Sequence, residues 1–494
     1  MSILNKLNEI RDSGGTRVTV GLSDELISEF SAQDQKLLKA IDDAYEIYQG
    51  LKHEFPEMLA MDEIGQAVEM HAEIINFYTD DVVNPFVTLA ANGPWVITTK
   101  GAVIYDTGGY GMLGFGHAPE NILKAMCQRH VMANIMTANF SQLRMSNALR
   151  KEIAQSIDGC PYDGFLCLNS GSEVISLGAR ISDINAKLAT GPDGEFAGKK
   201  IKHIALEGGF HGRTDRPAQY SDSTRATYLK HLASFQDEDT LLTVKPNDTR
   251  HLHEVFEQAI TDGFFVESMF IEPVMGEGNP GQAITREFYD LARELTSKHG
   301  ALLLVDSIQA GLRAHGCLSI IDYPGFEGID APDMEAFSKA LNAGQYPLSV
   351  LAVTERGTQL YKKGVYGNTM TSNPRALDVG CEVLAQITPD IRANIRAKGK
   401  EFVQRLEQLS GELNDLITGV QGTGLLVSCE LHEQFKSYGT DSIEEYMRTK
   451  GVGVIHGGKN SLRFTPHFNV SSDEIGLIID ALRQALLEGP HKKY

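Results

Sequence analysis

The chain has 494 residues, with 45 Lys and Arg against 65 Asp and Glu and a formal net charge of −20 at pH 7. A chain this acidic lacks the basic surface that nucleic acids and anionic membranes generally require, so we expect neither partner. Its apolar runs are far shorter than the ~20 residues of a membrane-spanning helix, and its six cysteines form no CxxC pair. We therefore expect a cytoplasmic protein with reduced thiols.

The N-terminal part of the chain combines helical patterns with a short hairpin. Apolar residues at helical spacing predict helices over 24–48 and 62–77. Short apolar runs at 95–98 and 102–106 predict a hairpin, and a glycine-rich loop follows over 108–116. We expect this loop to approach a ligand or another backbone segment closely.

The middle of the chain alternates short apolar strands with amphipathic helices. The predicted strands are 165–168, 203–206, 268–271, 302–306, 336–338 and 348–353. Strands that are apolar on both faces are typical of a mainly parallel sheet covered by helices. Ligands bind such sheets at the carboxyl ends of the strands, so we expect the functional site there.

The C-terminal part predicts a second, smaller α+β domain. Long helices are predicted from 373 to about 409, strands at 424–431, 453–456 and 461–464, and a closing helix over 472–487. The sequence thus predicts four segments, which are a helical N-terminal extension at 1–50, the first part of the small domain at 51–108, a large domain at 109–372 and the rest of the small domain at 373–494.

A turn of small residues follows the strand predicted at 165–168. Ser170, Gly171 and Ser172 lie where this strand leads into an amphipathic helix. The N-terminus of a helix offers backbone N–H groups and the positive end of the helix dipole, so this turn can hold a phosphate group. Taken alone, the same residues also fit an ordinary helix start with Ser170 as the N-cap.

Two charged residues stand at the ends of apolar strands. Asp306 ends the run ALLLVD, where a carboxylate needs a cationic or hydrogen-bonding partner, and Gln309 follows shortly after it. Lys339 ends another short strand. A lysine amine in a dehydrated cleft can lose its proton and attack a carbonyl. Taken separately, a helix-capping aspartate and a solvent-exposed lysine remain the plainer interpretations.

Eight motifs occur in the order found in a known family. They are SGSE at 170–173, GFHGRT at 209–214, IEP with GEG at 271–278, VDSIQAG at 305–311, SKAL at 338–341, GNT at 367–369, NP at 373–374 and LRF at 462–464. This order resembles that of the class III aminotransferases, and the resemblance covers about 95–487. It implies an α/β protein of fold type I, in which helices sandwich a mainly parallel, seven-stranded sheet, with pyridoxal 5'-phosphate as the cofactor.

The resemblance also implies roles for residues of the large domain. Lys339 is expected to hold the cofactor as a Schiff base and to shuttle a proton, and Asp306 to pair with the pyridinium nitrogen. The other expected cofactor-binding residues are Ser170, Gly171 and Ser172 at the phosphate, Phe210 on the ring with His211 in support, Gln309 at the phenolic oxygen, and Thr369. The family's matching threonine comes from the partner subunit, which implies a homodimer with shared active sites.

On the substrate side, the resemblance implies a carboxylate-binding arginine. Arg463 matches the residue that binds an α-carboxylate, and Glu277 matches the glutamate that masks it in ornithine- and 4-aminobutyrate-type members. Arg213 matches their distal-carboxylate arginine, and Tyr110 lies in the glycine-rich loop expected at the substrate entrance. These residues favour a ping-pong transfer of an amino group from an amine or ω-amino acid to a 2-oxo acid, with 2-oxoglutarate as the expected acceptor.

Two other classes of function stay open. A racemase or epimerase, an aminomutase or a phospho-lyase can use the same cofactor on the same scaffold. The third class is a nucleotide-binding α/β protein or a catalytically idle relative, although no GxGxxG follows the first strand of the alternating region, at 165–168, and no GxxxxGK[ST] occurs. The histidines show no metal-ligand spacing such as HExxH, so we expect no metal.

Overall fold

The computed structural model describes residues 1–132, 135–153, 155–236 and 240–492. Their contacts group into two compact units. Unit 1 comprises Met1–Glu120, Lys398–Gln421 and Val427–Tyr494, and unit 2 comprises Asn121–Ala397 and Gly422–Leu426. This division differs from the predicted boundaries at 109 and 373, because residues 109–120 group with unit 1 and the helix at 374–386 groups with unit 2.

The regular elements are as follows in chain order. The strands are β1 (Thr88–Asn92), β2 (Trp95–Thr98), β3 (Val103–Asp106), β4 (Gly164–Leu168), β5 (Lys200–Leu206), β6 (Leu241–Val244), β7 (Phe264–Ile271), β8 (Leu302–Asp306), β9 (Met334–Phe337), β10 (Ser349–Val353), β11 (Ile417–Thr423), β12 (Leu426–Leu431), β13 (Val452–Gly453), β14 (Ile455–Gly457) and β15 (Ser461–Phe464). The helices are α1 (Ile3–Arg11), α2 (Asp24–Ser31), α3 (Gln35–Glu54), α4 (Pro56–Ala60), α5 (Glu63–His71), α6 (Glu120–Met126), α7 (Phe140–Glu152), α8 (Gly171–Thr190), α9 (Asp215–Tyr220), α10 (Arg225–His231), α11 (Thr249–Thr261), α12 (Arg286–Lys298), α13 (Glu355–Leu360), α14 (Pro374–Gln386), α15 (Pro389–Glu412), α16 (Ile443–Thr449) and α17 (Ser472–Glu488).

The sheet of unit 2 has seven strands in its described part. Their order is β4-β10-β9-β8-β7-β5-β6. Strand β10 runs antiparallel to β4 and β9, and the pairs from β9 to β6 are parallel. This confirms the predicted mainly parallel α/β sheet. Because β4, β5, β7, β8 and β9 share one direction, the segments that follow them meet at one edge, where ligands bind such sheets.

Helix α8 carries much of the core of unit 2. Leu177 and Ile181 belong to the same buried cluster as Leu304 of β8, and burial of such a side chain stabilises a fold by about 1.5–3 kcal/mol. A Cβ atom on Gly178 would lie 2.4 Å from Leu304 Cδ1, so the glycine lets the helix approach the sheet. Because α8 begins at Gly171, this packing also fixes the helix N-terminus.

Unit 1 is built on two smaller sheets. The described residues form one sheet with the order β1-β2-β3-β13 and another with the order β11-β12-β15-β14. Strands β2 and β3 pair antiparallel, which confirms the predicted hairpin. None of the helices that the structure describes combines the length and apolar character needed to cross a lipid bilayer.

The helix predicted over 24–48 is wrong as a single element, because it divides into α2 and α3. Asp34 lies at the break, where its Oδ1 atom accepts a hydrogen bond from the backbone N–H of Lys36 (2.9 Å) and caps α3. Its Oδ2 atom accepts another from the Trp95 indole (2.6 Å). The capping bond starts a new helix although the apolar spacing continues through it.

The N-terminal extension is an integral part of unit 1. The Oε2 atom of Glu63 accepts hydrogen bonds from the backbone N–H groups of Val18 (2.7 Å) and Thr19 (2.6 Å). The buried ammonium of Lys100 donates to the carbonyls of Gly14 (2.6 Å) and Leu59 (2.8 Å). These bonds tie the first sixty residues to the hairpin of β2 and β3, because Lys100 lies in its turn.

Candidate active site

Asp306 and His211 form a buried polar pair at the carboxyl edge of the sheet in unit 2. Asp306 is the last residue of β8 and is 4% exposed. Its Oδ2 atom lies 2.7 Å from Nδ1 of His211, and its Oδ1 atom accepts a hydrogen bond from the backbone N–H of Ile308 (3.1 Å). A carboxylate offers about four acceptor positions, so this aspartate can take a further donor. His211 was predicted to support Phe210, and in the structure its ring contacts Asp306.

Lys339 contacts Gln309 at the same edge of the sheet. It follows β9 and begins a 3₁₀ turn, Lys339–Asn342. Its Nζ atom donates a hydrogen bond to Oε1 of Gln309. The lysine is half-buried and its backbone has a φ of 44°, a left-handed conformation that costs a non-glycine residue about 1–2 kcal/mol. A strained residue of this kind persists because the surrounding fold holds it, and such residues cluster at functional sites.

The turn after β4 caps helix α8 at its N-terminus. Ser170 Oγ accepts a hydrogen bond from the Glu173 backbone (3.3 Å), and Glu173 Oε2 accepts one from the Ser170 backbone (3.0 Å). This capping box leaves Gly171 and Ser172 in the first turn, where N–H groups have no partner within the helix. A Cβ atom on Gly212 would lie 2.4 Å from Ser172 Oγ, so the loop after β5 reaches this turn closely.

The loop that carries Thr369 is bonded to the same helix start. Asn368 Nδ2 donates to Oε1 of Glu173 (2.8 Å), and Asn368 Oδ1 accepts from Nδ2 of Asn169 (3.1 Å). Thr369 itself is exposed on its own chain. The loop is therefore fixed by its asparagine while the threonine stands at the surface.

Three further predicted residues lie in the loops after β5 and β7. Phe210 is half-buried, and the guanidinium carbon of the exposed Arg213 lies 5.3 Å from the centroid of its ring. This distance fits a cation–π contact. Glu277 is half-buried in the loop after β7. Backbone contact joins the two loops, because a Cβ atom on Gly278 would lie 2.1 Å from the carbonyl oxygen of Gly208.

Glu272 is a buried acid at this edge of the sheet that is not among the predicted site residues. It follows β7 directly and is 3% exposed. Its Oε2 atom accepts a hydrogen bond from the backbone N–H of Phe210 (3.0 Å), and its Oε1 atom accepts one from that of Gly276 (2.9 Å). Burial raises the pKa of Glu272 to about 7, with Asp306 adding to the rise and His211 opposing it. A carboxylate directly after an apolar strand is the signal that singled out Asp306, and it also marks this glutamate.

In unit 1 the structure brings together two predicted substrate-binding residues. Arg463 is buried on β15, and its guanidinium carbon lies 5.5 Å from the centroid of the Tyr110 ring. Tyr110 has a φ of 56°, and its ring stacks on that of Tyr78 with centroids 5.8 Å apart. The arginine is thus packed against an aromatic residue of the glycine-rich loop.

Tyr110 also lines a cavity of about 760 Å³ in unit 1. The wall is mainly apolar and includes Val83, Phe86, Val87, Leu89, Val96, Ile104, Val454 and Ile455. Two charged wall residues have partners, since Asp106 lies 2.9 Å from His117 and Arg448 forms an ion pair with Glu444. A mostly apolar wall with a few polar groups is typical of a small-molecule site.

The residues at the edge of the sheet in unit 2 fit the cofactor that the motifs imply. Nε2 of Gln309 is buried and has no hydrogen-bond partner in the described part of the chain, so this amide can donate to a phenolic oxygen. A Cβ atom on Gly171 would lie 2.9 Å from Ile308 Cδ1, which shows how closely the helix start approaches the Asp306 loop. No group of three or more metal-ligating side chains occurs within the ranges that the structure describes.

The chain is similar to known proteins over most of its length. Residues 77–486 match the family model described as aminotransferase class-III. The chain is 28% identical over 411 residues to the acetylornithine aminotransferase of Neisseria meningitidis serogroup B, covering 82% of this chain and 95% of that protein. It is also 28% identical over 416 residues to the Pseudomonas putida protein of the same name, with 81% and 92% covered.

Solved structures show the same fold. The ornithine aminotransferase of Toxoplasma gondii superposes with a TM-score of 0.73 at 21% identity, covering 88% of this chain and 98% of that chain. A transaminase from the marine bacterium Virgibacillus superposes with a TM-score of 0.72 at 16% identity, covering 85% and 98%.

The sheet, with its lysine and aspartate at the carboxyl edge, has the architecture of a fold type I pyridoxal-phosphate enzyme. The chain belongs to the class III aminotransferases. It is a transaminase that uses pyridoxal 5'-phosphate, which confirms the family, the activity and the cofactor that the eight motifs implied.

Proposed function

We propose that this transaminase moves an amino group from an ω-amino donor to 2-oxoglutarate in two half-reactions. The packing of Arg463 against Tyr110 on the wall of the unit 1 cavity carries this proposal, because a guanidinium held by an aromatic ring suits a carboxylate-bearing substrate. The names of the relatives support it, since acetylornithine and ornithine each carry an amino group far from the carboxylate.

We assign the cofactor to the residues at the carboxyl edge of unit 2. Asp306, held by His211, pairs with the ring nitrogen, and the Gln309 amide donates to the phenolic oxygen. The first turn of α8 at Ser170, Gly171 and Ser172 holds the phosphate, and Phe210 covers the ring face. When bound, pyridoxal phosphate supplies an electron sink for negative charge at the substrate carbon.

Lys339 moves the proton in this assignment. Its Nζ atom, held by Gln309, would accept the proton from the substrate carbon that bears the amino group and would carry it to the cofactor carbon. The half-buried site limits competing exchange with water. Lys339 adopts its left-handed backbone conformation at the start of the turn that follows β9.

We assign the substrate to Arg463, Glu277, Arg213 and Tyr110. Arg463 binds the α-carboxylate of 2-oxoglutarate, and Glu277 takes the role of the family's masking glutamate. Arg213 takes the distal carboxylate, and Tyr110 lines the cavity for the body of the donor. A panel of diamines, ω-amino acids and α-amino acids, followed by glutamate formed from 2-oxoglutarate, tests the donor. Racemised or eliminated product that forms without a keto acid would reject this scheme in favour of a racemase or phospho-lyase.

Arg463→Ala is expected to raise the KM for 2-oxoglutarate about 100-fold, because removal of a buried cation from a carboxylate typically costs about 2–5 kcal/mol. The half-reaction with a diamine, which has no carboxylate, should keep its rate. Stopped-flow measurement of each half-reaction separates the two effects. Arg483→Ala is the matched control, since Arg483 is a half-buried arginine of unit 1 that pairs with Glu412. An unchanged 2-oxoglutarate half-reaction would show that the carboxylate binds elsewhere.

We further propose a homodimer in which Thr369 completes the partner's phosphate site. Thr369 is exposed on its own chain. Unit 2 also exposes large apolar side chains, with Val131, Met136 and Phe140 at 68%, 86% and 75% exposure, and an apolar surface of this kind marks a protein interface.

Mixed dimers test the shared site directly. Lys339→Ala chains and Thr369→Asp chains are each expected to be inactive alone. If Thr369 serves the partner, each heterodimer has one site with both residues intact, so a refolded equimolar mixture recovers about a quarter of the wild-type activity. If Thr369 serves its own chain, every site carries one defect and the mixture stays inactive. Sedimentation of the wild type checks the dimer itself.

We also propose a cytoplasmic location. All six cysteines are free thiols in the structure, which agrees with a reducing compartment. Fractionation of the native cells with an antibody to the chain tests it, and recovery in a secreted fraction would contradict it.

A further inference from the structure

We propose that Glu272 is a positioning residue. Its two carboxylate oxygens join the loop after β5, which carries Phe210, to the loop after β7, which carries Glu277. One oxygen binds the backbone of Phe210 and the other binds the backbone of Gly276, next to Glu277. The proposal rests on the roles proposed above for Phe210 and Glu277. It assigns to Glu272 no contact with substrate or cofactor.

Two backbone N–H groups from different loops donate to Glu272, one to each of its carboxylate oxygens. The loop after β5 and the loop after β7 are separate in sequence, and each donates a backbone N–H group to the same side chain, part-buried at Phe210 and buried at Gly276. A buried N–H group without a partner is costly, so loss of either hydrogen bond weakens the link between the two loops. The close approach of Gly278 to Gly208 shows that the two loops are packed at backbone distance, and a shift of one moves the other.

The two hydrogen bonds that Glu272 accepts depend on the charge state of its carboxylate. After burial, the charged groups that act on its pKa most strongly are His211, which lowers it, and Asp306, which raises it. With its pKa raised by burial to about 7, the carboxylate is ionised and accepts both bonds above neutral pH. Protonation below this value turns one oxygen into a hydroxyl and weakens one of the two hydrogen bonds. Cofactor binding should therefore weaken as the pH falls through about 7.

Glu272→Gln tests the linkage in the full-length protein. The amide keeps one oxygen acceptor and presents an NH₂ group to the other N–H, so one hydrogen bond is lost at every pH. We expect the dissociation constant of pyridoxal phosphate, measured by absorbance titration, to rise about tenfold at pH 8 and to lose its dependence on pH between 6 and 8. A wild-type dissociation constant with an unchanged pH profile would overturn the proposal.

Glu267→Gln is the matched control on the same strand. Glu267 is also a buried glutamate of β7, but it accepts hydrogen bonds from Tyr220 (2.6 Å) and Arg216 (3.1 Å) rather than from the two loops. Its variant should lower the melting temperature and leave the pH profile of cofactor binding in place. If both variants change that profile alike, the effect is general destabilisation and the proposal fails.

If the Glu272→Gln variant gives no soluble protein, Glu272→Asp is used to test the proposal instead. An aspartate keeps the charge but is one methylene shorter, so it cannot span both N–H groups. We expect a weaker cofactor complex that still responds to pH, and a wild-type dissociation constant would overturn the proposal. The readout is cofactor binding, so a donor panel that rejected ω-amino substrates would leave this result unaffected.

Discussion

Lys339→Ala is expected to lower the turnover of the transaminase by about 10⁴-fold, because the Nζ atom is the proposed base and acid of both half-reactions. Borohydride treatment of the variant should attach no cofactor to the chain, whereas the wild type should be labelled at Lys339. The residues proposed to hold the cofactor at Asp306, Gln309 and the start of helix α8 are unchanged. The variant should therefore still bind pyridoxal phosphate reversibly. Addition of a small primary amine should restore part of the rate, since it can move the proton in place of Nζ.

The backbone at Lys339 gives this experiment an internal control. A φ of 44° is strained for alanine but ordinary for glycine. Lys339→Gly should therefore be more stable than Lys339→Ala by about 1 kcal/mol, with the same loss of activity. Urea denaturation of both variants measures the difference. Activity above about one percent of wild type in either variant would place the proton transfer on another residue.

The sequence allowed the sheet of unit 2 to be predicted where strands are long and apolar. It did not reveal β6, because Leu241–Val244 is a four-residue edge strand with two half-buried positions. The reversed direction of β10 was equally hidden, since a fully buried strand looks the same in sequence in either direction. The break at Asp34 comes with a local cap on α3, and the indole bond from Trp95 that also holds this side chain is a tertiary contact that the sequence does not show.

In the candidate site, too, some residues could be predicted from the sequence and others could not. Asp306 and Lys339 stand out in sequence because a charge directly after an apolar strand is unusual. The pairing of Asp306 with His211 joins residues 95 positions apart, and only the parallel sheet brings them together. Glu272, like Asp306, is a charge next to an apolar strand, but the sequence did not predict its role. Its partners are backbone N–H groups, which every residue except proline has, so the sequence does not identify them.

Asp306→Asn is expected to lower kcat by about 10²–10³-fold, the usual effect of removing one preorganised electrostatic partner from an active site. The asparagine can keep the contact with His211, so the geometry of the edge should survive. What is lost is the negative charge that holds a proton on the ring nitrogen of the cofactor. Rapid-mixing measurement of the donor half-reaction should show the defect in the rate at saturating donor, with little change in its apparent affinity.

The same variant should also change the pH dependence of cofactor binding. The Asp306 charge raises the pKa of Glu272, so its removal lets Glu272 stay ionised to lower pH and moves the weakening of binding below pH 7. Asp333→Asn is the matched control: Asp333 is equally buried, lies just before β9 at the opposite edge of the sheet and pairs with Arg293 (2.8 Å). Breaking that pair should destabilise the fold by about 3–5 kcal/mol and leave the pH profile in place. A full rate in Asp306→Asn would mean that another group protonates the cofactor ring.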